Sequence, residues 1–218
     1  MEEKTEGILL RSIPYLGNQK ILKVFAPAAG LVSFMSKKNA LAPFTSPFLA
    51  AEWVYKKGKE EIHSLKDATL LDSFADLRKS YDTLSAAGQI AQDLLRTQLP
   101  GKKAPALYSL ALAYFAKLPL FARPEILSSS FRLKLLLHEG LLALHPHCTV
   151  CGGPALALRS GESFCSAHAN APPLAPAEWE TLHTLAYARQ FAPLHELRIS
   201  GFLLAKIHAE FEDKLRNY

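Results

Sequence analysis

CTVCGGPALALRSGESFCSAH, residues 148–168, contains all three cysteines of the 218-residue chain, in the pattern C-x2-C-x13-C-x2-H. Two ligand pairs, each able to wrap a metal ion from one turn, are what a closed tetrahedral zinc site needs. The residues between them predict a small hairpin. Leu156 and Leu158 alternate with smaller side chains, Ser160-Gly161-Glu162 supplies the turn, and Phe164 leads back to Cys165. The expectation is a zinc-ribbon-like knuckle with Cys148, Cys151, Cys165 and His168 as ligands. Four protein ligands leave no open position for water, so the Zn2+ is expected to be structural. His145 and His147 flank Cys148 and stand as alternatives to His168, which has the better spacing. A disulfide would strand the third cysteine, and a redox C-x-x-C belongs beside a thioredoxin-type strand–helix unit that this sequence does not show.

Upstream of the knuckle the pattern is helical. Leu71, Phe74, Leu77, Tyr81, Leu84, Ile90 and Leu94 recur mostly three or four apart and predict a long helix from about residue 69 to Pro100-Gly101. Pro105 and Pro124 open two more helices, the second carrying Leu127, Phe131, Leu135 and a core-facing His138. Downstream, Pro176 opens a fourth helix, and a fifth is expected from about His195 to Asn217.

The first third has a different rhythm. Gly7–Ile13, Ile21–Ala26, Leu31–Met35, Phe48–Lys56 and Glu60–Leu65 are short β-prone runs separated by turn clusters. Five such strands in about 65 residues have the size of a small closed β-barrel such as an OB-fold. The expected architecture is α+β and multidomain: an OB-fold-like barrel over residues 1–68, then an α-helical domain over 69–218 that carries the knuckle.

The net charge is +5, and most of the excess lies early: residues 1–66 carry ten of the 25 Lys/Arg against six of the 20 Asp/Glu. That asymmetry favours a polyanionic partner. No apolar run approaches the length of a membrane span. The opening MEEKTEG lacks a signal-peptide core, which with zinc thiolates predicts a cytoplasmic protein. The sequence has no G-x-x-x-x-G-K-[ST] phosphate loop, no G-x-S-x-G elbow and no H-E-x-x-H helix, so enzymatic readings, a zinc hydrolase among them, have little support.

Taken together, the order of barrel, helices, C-x-x-C-G, hairpin, second ligand pair and terminal helices resembles the RecO recombination-mediator family of bacterial DNA repair. Thr5-Glu6-Gly7-Ile8-Leu9-Leu10 is similar to that family's opening strand, and Tyr15-Leu16-Gly17-Asn18 to its Tyr-Gly-Glu-type turn. Phe25-Ala26-Pro27 to Gly30 resembles its Thr-x-x-Gly segment, and Leu41-Ala42-Pro43-Phe44 its Leu-x-Pro-Phe. Phe131 to Leu136 and Gly140 resemble the helix before the first ligand pair, and Leu197-Arg198-Ile199-Ser200 the Leu-x-Ser segment. Departures are His168 where Cys is more frequent, Arg132 where Glu is usual, Ser130 where a basic residue often stands, and a shortened segment after Lys38.

The resemblance implies a non-enzymatic factor of homologous recombination. It would bind single- and double-stranded DNA, act on strands coated by single-strand-binding protein and anneal them. It would help load recombinase with a RecR-like partner at the nucleoid. The barrel residues expected to track phosphates are Arg11, Lys20, Lys23, Lys37 and Lys38, with Tyr15 and Phe44 as candidate stacking platforms and Phe34 expected to pack in the core instead. The competing reading, motivated by the modest net charge and by Ser130 and Arg132, is a protein-interaction adaptor of a repair complex that does not itself bind DNA.

Overall fold

The structure, a computed structural model, describes residues 2–37, 39–58, 61–170 and 172–216. It divides into two compact units, Met1–Leu120 and Phe121–Tyr218.

In the first unit, strands β1 (Glu2–Pro14), β2 (Lys20–Ala26), β3 (Gly30–Ser36), β4 (Leu49–Lys56) and β5 (Ile62–Asp72) close into a barrel in the order β1-β2-β3-β5-β4. All pairings are antiparallel except β3 with β5. This is the strand order of an OB-like barrel. Alternation explains it: Leu22 and Val24, Val32 and Phe34, and Ala51, Trp53 and Tyr55 all point inward. Trp53 is fully buried, its indole N–H donates to the Gly7 carbonyl at 3.0 Å, and its ring stacks on Phe34 with centroids 5.9 Å apart. Burying side chains of this size contributes roughly 1.5–3 kcal/mol each. Gly7 must be glycine, because a Cβ there would collide with Val24. Phe34, fully enclosed, belongs to this core and is closed to bases.

The expected helix from residue 69 is not what forms. β5 continues to Asp72, a 3-10 turn covers Ala75–Arg78, and α1 runs Tyr81–Thr97. Leu71 is 53 % and Tyr81 82 % exposed. The buried face of α1 is instead Ala86, Ala87, Ile90, Ala91 and Leu94. Ser80 sets the start, its hydroxyl accepting the Thr83 N–H at 3.1 Å. The division anticipated at residue 68 therefore falls inside β5. The unit that holds the barrel also includes α1 and α2 (Pro105–Lys117), with Tyr108 of α2 edge-on to Phe25. Between β3 and β4 the chain forms a 3-10 turn, Asn39–Thr45.

The second unit contains α3 (Pro124–His138), the hairpin β6 (Ala157–Arg159) and β7 (Glu162–Phe164), α4 (Pro176–Tyr187), α5 (Ala192–His195) and α6 (Gly201–Arg216). α3 and α4 start on prolines and α5 has Pro193 as its second residue, positions where the missing N–H costs nothing. The expected single terminal helix is two, because Ser200 caps α6 by accepting the Leu203 N–H at 3.1 Å. Asn217 lies outside the described residues. His138, expected in the core, is exposed and sits 3.2 Å from Glu139. Ser130 donates to the Leu185 carbonyl at 2.6 Å, and the Arg132 guanidinium lies 4.5 Å above the Phe211 ring. Among the described residues no helix is long and apolar enough to cross a membrane.

Candidate metal centre and nucleic-acid interface

The first ligand pair is shaped by a tight turn. The Cys148 N–H donates to Gly153 O at 2.7 Å, the Gly152 N–H donates to Cys148 O at 2.9 Å, and Gly152 takes the left-handed φ of 72° that such a turn requires. The hairpin returns through Ser160 and Gly161, both at positive φ (45° and 73°), as a two-residue turn of the primed kind demands. The second pair curls in the same way, with the His168 and Ala169 N–H groups both donating to Cys165 O. Thr149 N–H donates to Ser163 O at 3.0 Å, tying the first turn to β7. Cys148, Ala157, Phe164 and Ala169 form a small apolar core behind the ligands.

The ligand atoms of Cys148, Cys151, Cys165 and His168 all lie within 4.8 Å of one another and can hold a metal ion. His168 Nδ1 is 3.6 Å from Cys148 Sγ and 3.3 Å from Cys165 Sγ, and Cys151 Sγ is 3.8 Å from Cys165 Sγ. A tetrahedron with metal–sulfur bonds of about 2.3 Å and metal–nitrogen bonds of about 2.0–2.1 Å has S···S edges of about 3.8 Å and S···N edges of about 3.5 Å. The residues fit the ion. His145 and His147 are exposed and stand outside the cluster. Burial pushes the Cys148 thiol up, but the N–H groups of Cys165, Cys151 and Val150 and the His168 ring outweigh it and bring it down to about 5. The Gly153 N–H pulls the Cys151 thiol down, and the neighbouring Cys148 and Cys165 sulfurs push it up by more. A cation among these sulfurs would favour their thiolate forms.

Sequence reasoning missed what braces the knuckle. Buried Glu210 of α6 accepts the Gly161 N–H at 3.2 Å, Lys206 lies 3.3 Å from the same carboxylate, and Ser160 donates to Asp213 at 3.2 Å. A Cβ on Gly161 would strike the Leu141 carbonyl.

On the barrel, a bulge at Leu10 shifts β1 so that Arg11 stands opposite Lys23, which stands opposite Ser33 on β3. Leu9, Val24 and Val32 point inward, so this row lies on the outer face. Lys23 Nζ donates to Ser33 at 2.7 Å. Lys20 sits at the end of β2, donating to Thr45 at 2.9 Å, and Lys37 is exposed just beyond β3. Lys38 lies outside the described residues. None of the four described cations pairs with a carboxylate among the described residues. Tyr15 is half exposed, whereas Phe44 packs edge-on to Trp53. The outer face formed by the start of β1 with β4 and β5 has the opposite sign, carrying the carboxylates Glu2, Glu6, Glu52 and Asp67 against the cations Lys4 and Lys56. There Lys4 is bound to Glu52 at 2.9 Å, a bond that with the Glu52 and Asp67 charges holds its ammonium above the usual lysine range.

Comparison with known proteins agrees with this geometry. Residues 1–74 match the family described as Recombination protein O N terminal. The DNA repair protein RecO of Chlamydia trachomatis (serovar D) is 29 % identical over 205 residues, 89 % of this chain and 84 % of the relative. The chain is similar to RecO proteins over most of its length. The RecO of Chlamydia pneumoniae is 29 % identical over 209 residues (91 % and 82 % covered), and that of Exiguobacterium sibiricum 27 % over 180 residues (77 % and 71 %). The RecO match reaches past the end of the barrel and, in the chlamydial relatives, covers most of both units.

Proposed function

We propose that this protein belongs to the RecO family and acts in DNA repair as a non-enzymatic recombination mediator. It binds single- and double-stranded DNA along the β1–β2–β3 face, anneals complementary strands coated by single-strand-binding protein, and assists recombinase loading with a RecR-like partner, in the cytoplasm at the nucleoid. The observation that carries this reading is the Arg11–Lys23 row on one outer face, set against the carboxylates of the other. Cations without carboxylate partners are free to replace counterions on phosphate, which supplies affinity and screens the repulsion between two strands as they approach. The charged opposite face repels the same polyanion and fixes which side of the barrel it follows.

In the same reading the knuckle binds Zn2+ as a structural ion. The ion supplies the positive charge that lets three thiolates share a small volume, and the chain's own residues hold the hairpin and the two ligand turns around it. Ser130 and Arg132, which motivated the adaptor reading, are buried in the second unit and alter no surface. The test is strand annealing measured with and without single-strand-binding protein, alongside anisotropy titration of a single-stranded oligonucleotide from low to physiological salt. Annealing and a steep negative salt dependence are expected. Binding that does not respond to salt, or no binding at either salt, defeats the proposal.

A further inference from the structure

The acidic side of the first unit borders two adjoining clefts, the first of them mostly apolar. The first, about 390 Å³, has Leu71, Tyr108 and Leu112 in its walls and Glu6 and Asp72 at its rim. The second, about 320 Å³, continues past Phe74 and Ala116 to Leu120 and Asp76. Leu71 and Leu120 are 53 % and 63 % exposed. Large apolar side chains left in water around a concave surface mark a place where something binds. The rim is charged on one sign only. Asp76 is matched by Lys79 at 2.8 Å, but Glu6 has no ionic partner among the described residues. Asp72 uses one oxygen to accept the Phe74 N–H at 2.8 Å, and likewise lacks a cation. The wall holds a third polar group. Tyr108, which also lines the first cleft, is 94 % buried, and its hydroxyl makes no hydrogen bond with the described residues.

We propose that this trough is a docking surface for a protein segment that presents a large apolar side chain beside Lys or Arg. Charge complementarity selects the occupant. The apolar side chain fills the cleft between Leu71 and Leu112, the cation settles against Glu6 and Asp72, and an acceptor on the segment takes the Tyr108 hydroxyl. The same carboxylates reject nucleic acid and acidic peptides. The proposal does not depend on DNA binding by the β1–β2–β3 face.

The experiment is selection of a random twelve-residue peptide library, displayed on phage, against the full chain. Peptides carrying Leu, Phe or Met next to Arg or Lys are expected. A synthetic peptide of the selected consensus, followed by fluorescence anisotropy, is expected to weaken by at least about fivefold in Glu6→Gln/Asp72→Asn. It should weaken at least as much in Ala116→Arg, which fills the trough from an exposed helix position. Asp72→Asn keeps the acceptor for the Phe74 N–H, so an unchanged melting temperature separates loss of binding from loss of fold. The proposal is overturned by an acidic consensus or none, by unchanged affinity in both variants, or by displacement of the peptide with a single-stranded oligonucleotide. It is also overturned if sedimentation shows that the chain self-associates through this trough and that Ala116→Arg dissolves the dimer.

Discussion

Replacing Arg11 and Lys23 by threonine should weaken DNA binding while leaving the barrel at least as stable. If Arg11, Lys20, Lys23, Lys37 and Lys38 each neutralise one phosphate of a single strand, log affinity falls against log salt with a slope of about −3.5. The Arg11→Thr/Lys23→Thr variant keeps three contacts and a slope of about −2.1. Taking 1 M salt as the point where this contribution vanishes, the variant at 0.1 M binds about 25-fold more weakly, or about 1.9 kcal/mol. The same two cations face each other across an antiparallel pair, and like charges in that relation destabilise a sheet by a few tenths of a kcal/mol up to about 1. Arg11→Thr alone removes that repulsion and keeps a good strand former, so the melting temperature should rise by about 1–3 °C. Anisotropy titrations at four salt concentrations and a thermal melt measure both effects. An unchanged slope with affinity within twofold of the parent refutes the assignment of this face. A melting temperature that falls refutes the cross-strand repulsion.

Other outcomes follow from the same geometry. His168→Ala should lower the metal content of the purified chain, whereas His145→Ala and His147→Ala should leave it at one ion per chain by elemental analysis. Chelation should raise hydrogen exchange selectively over residues 143–170, and global unfolding would contradict a knuckle that folds around its ion. Glu210→Ala leaves the buried Gly161 N–H without a partner and should destabilise the second unit by about 1–3 kcal/mol in urea titrations; an effect below about 0.3 kcal/mol would show that the brace is idle. Burial, aided by the Glu6 charge, pushes the Tyr108 phenol up to about 12, against 10.0 for a free tyrosine. The folded chain then keeps a proton that the unfolded chain releases, so the contribution is full below pH 10 and is lost as pH rises towards 12. Tyr108→Phe should flatten that alkaline limb, and an identical limb in the variant would place the titration elsewhere.

The knuckle was legible because everything that shapes it is local. Its ligand spacing, the Ser160-Gly161 turn and the returning Phe164 all lie within 21 residues. The barrel's central strands were legible for the same kind of reason, since Leu22, Val24, Val32, Phe34, Trp53 and Tyr55 alternate visibly. The strand ends were not. Glu2–Glu6 is polar on both sides because it lines a charged outer face, and Leu70 and Leu71 stay half exposed at the end of β5. There the spacing of Leu71, Phe74 and Leu77 imitated a helical stripe, although Ser80, a good N-cap, marked the true start. The Arg11–Lys23 row depends on the bulge at Leu10, and the Glu210 brace on a partner 49 residues away. Register and tertiary docking of that kind leave no periodic trace.

The two departures from the family pattern on α3 bear on function through burial. A residue that differs from its relatives argues for a changed partner only if it faces solvent. Ser130 is fully buried and donates to the Leu185 carbonyl, and Arg132 spans from α3 to α6, with His208 Nδ1 at 3.0 Å and the Phe211 ring beneath its guanidinium. Both are tie points among helices. A basic side chain at 130 would have to leave that space, and a glutamate at 132 would put an anion over the face of an aromatic ring, where the quadrupole favours a cation. The substitutions therefore belong to the packing of this second unit. They take away one of the two motives for reading the chain as an adaptor without DNA binding, and leave its modest net charge and the opposed charges of the barrel's two outer faces as the features that any account of its partners has to meet.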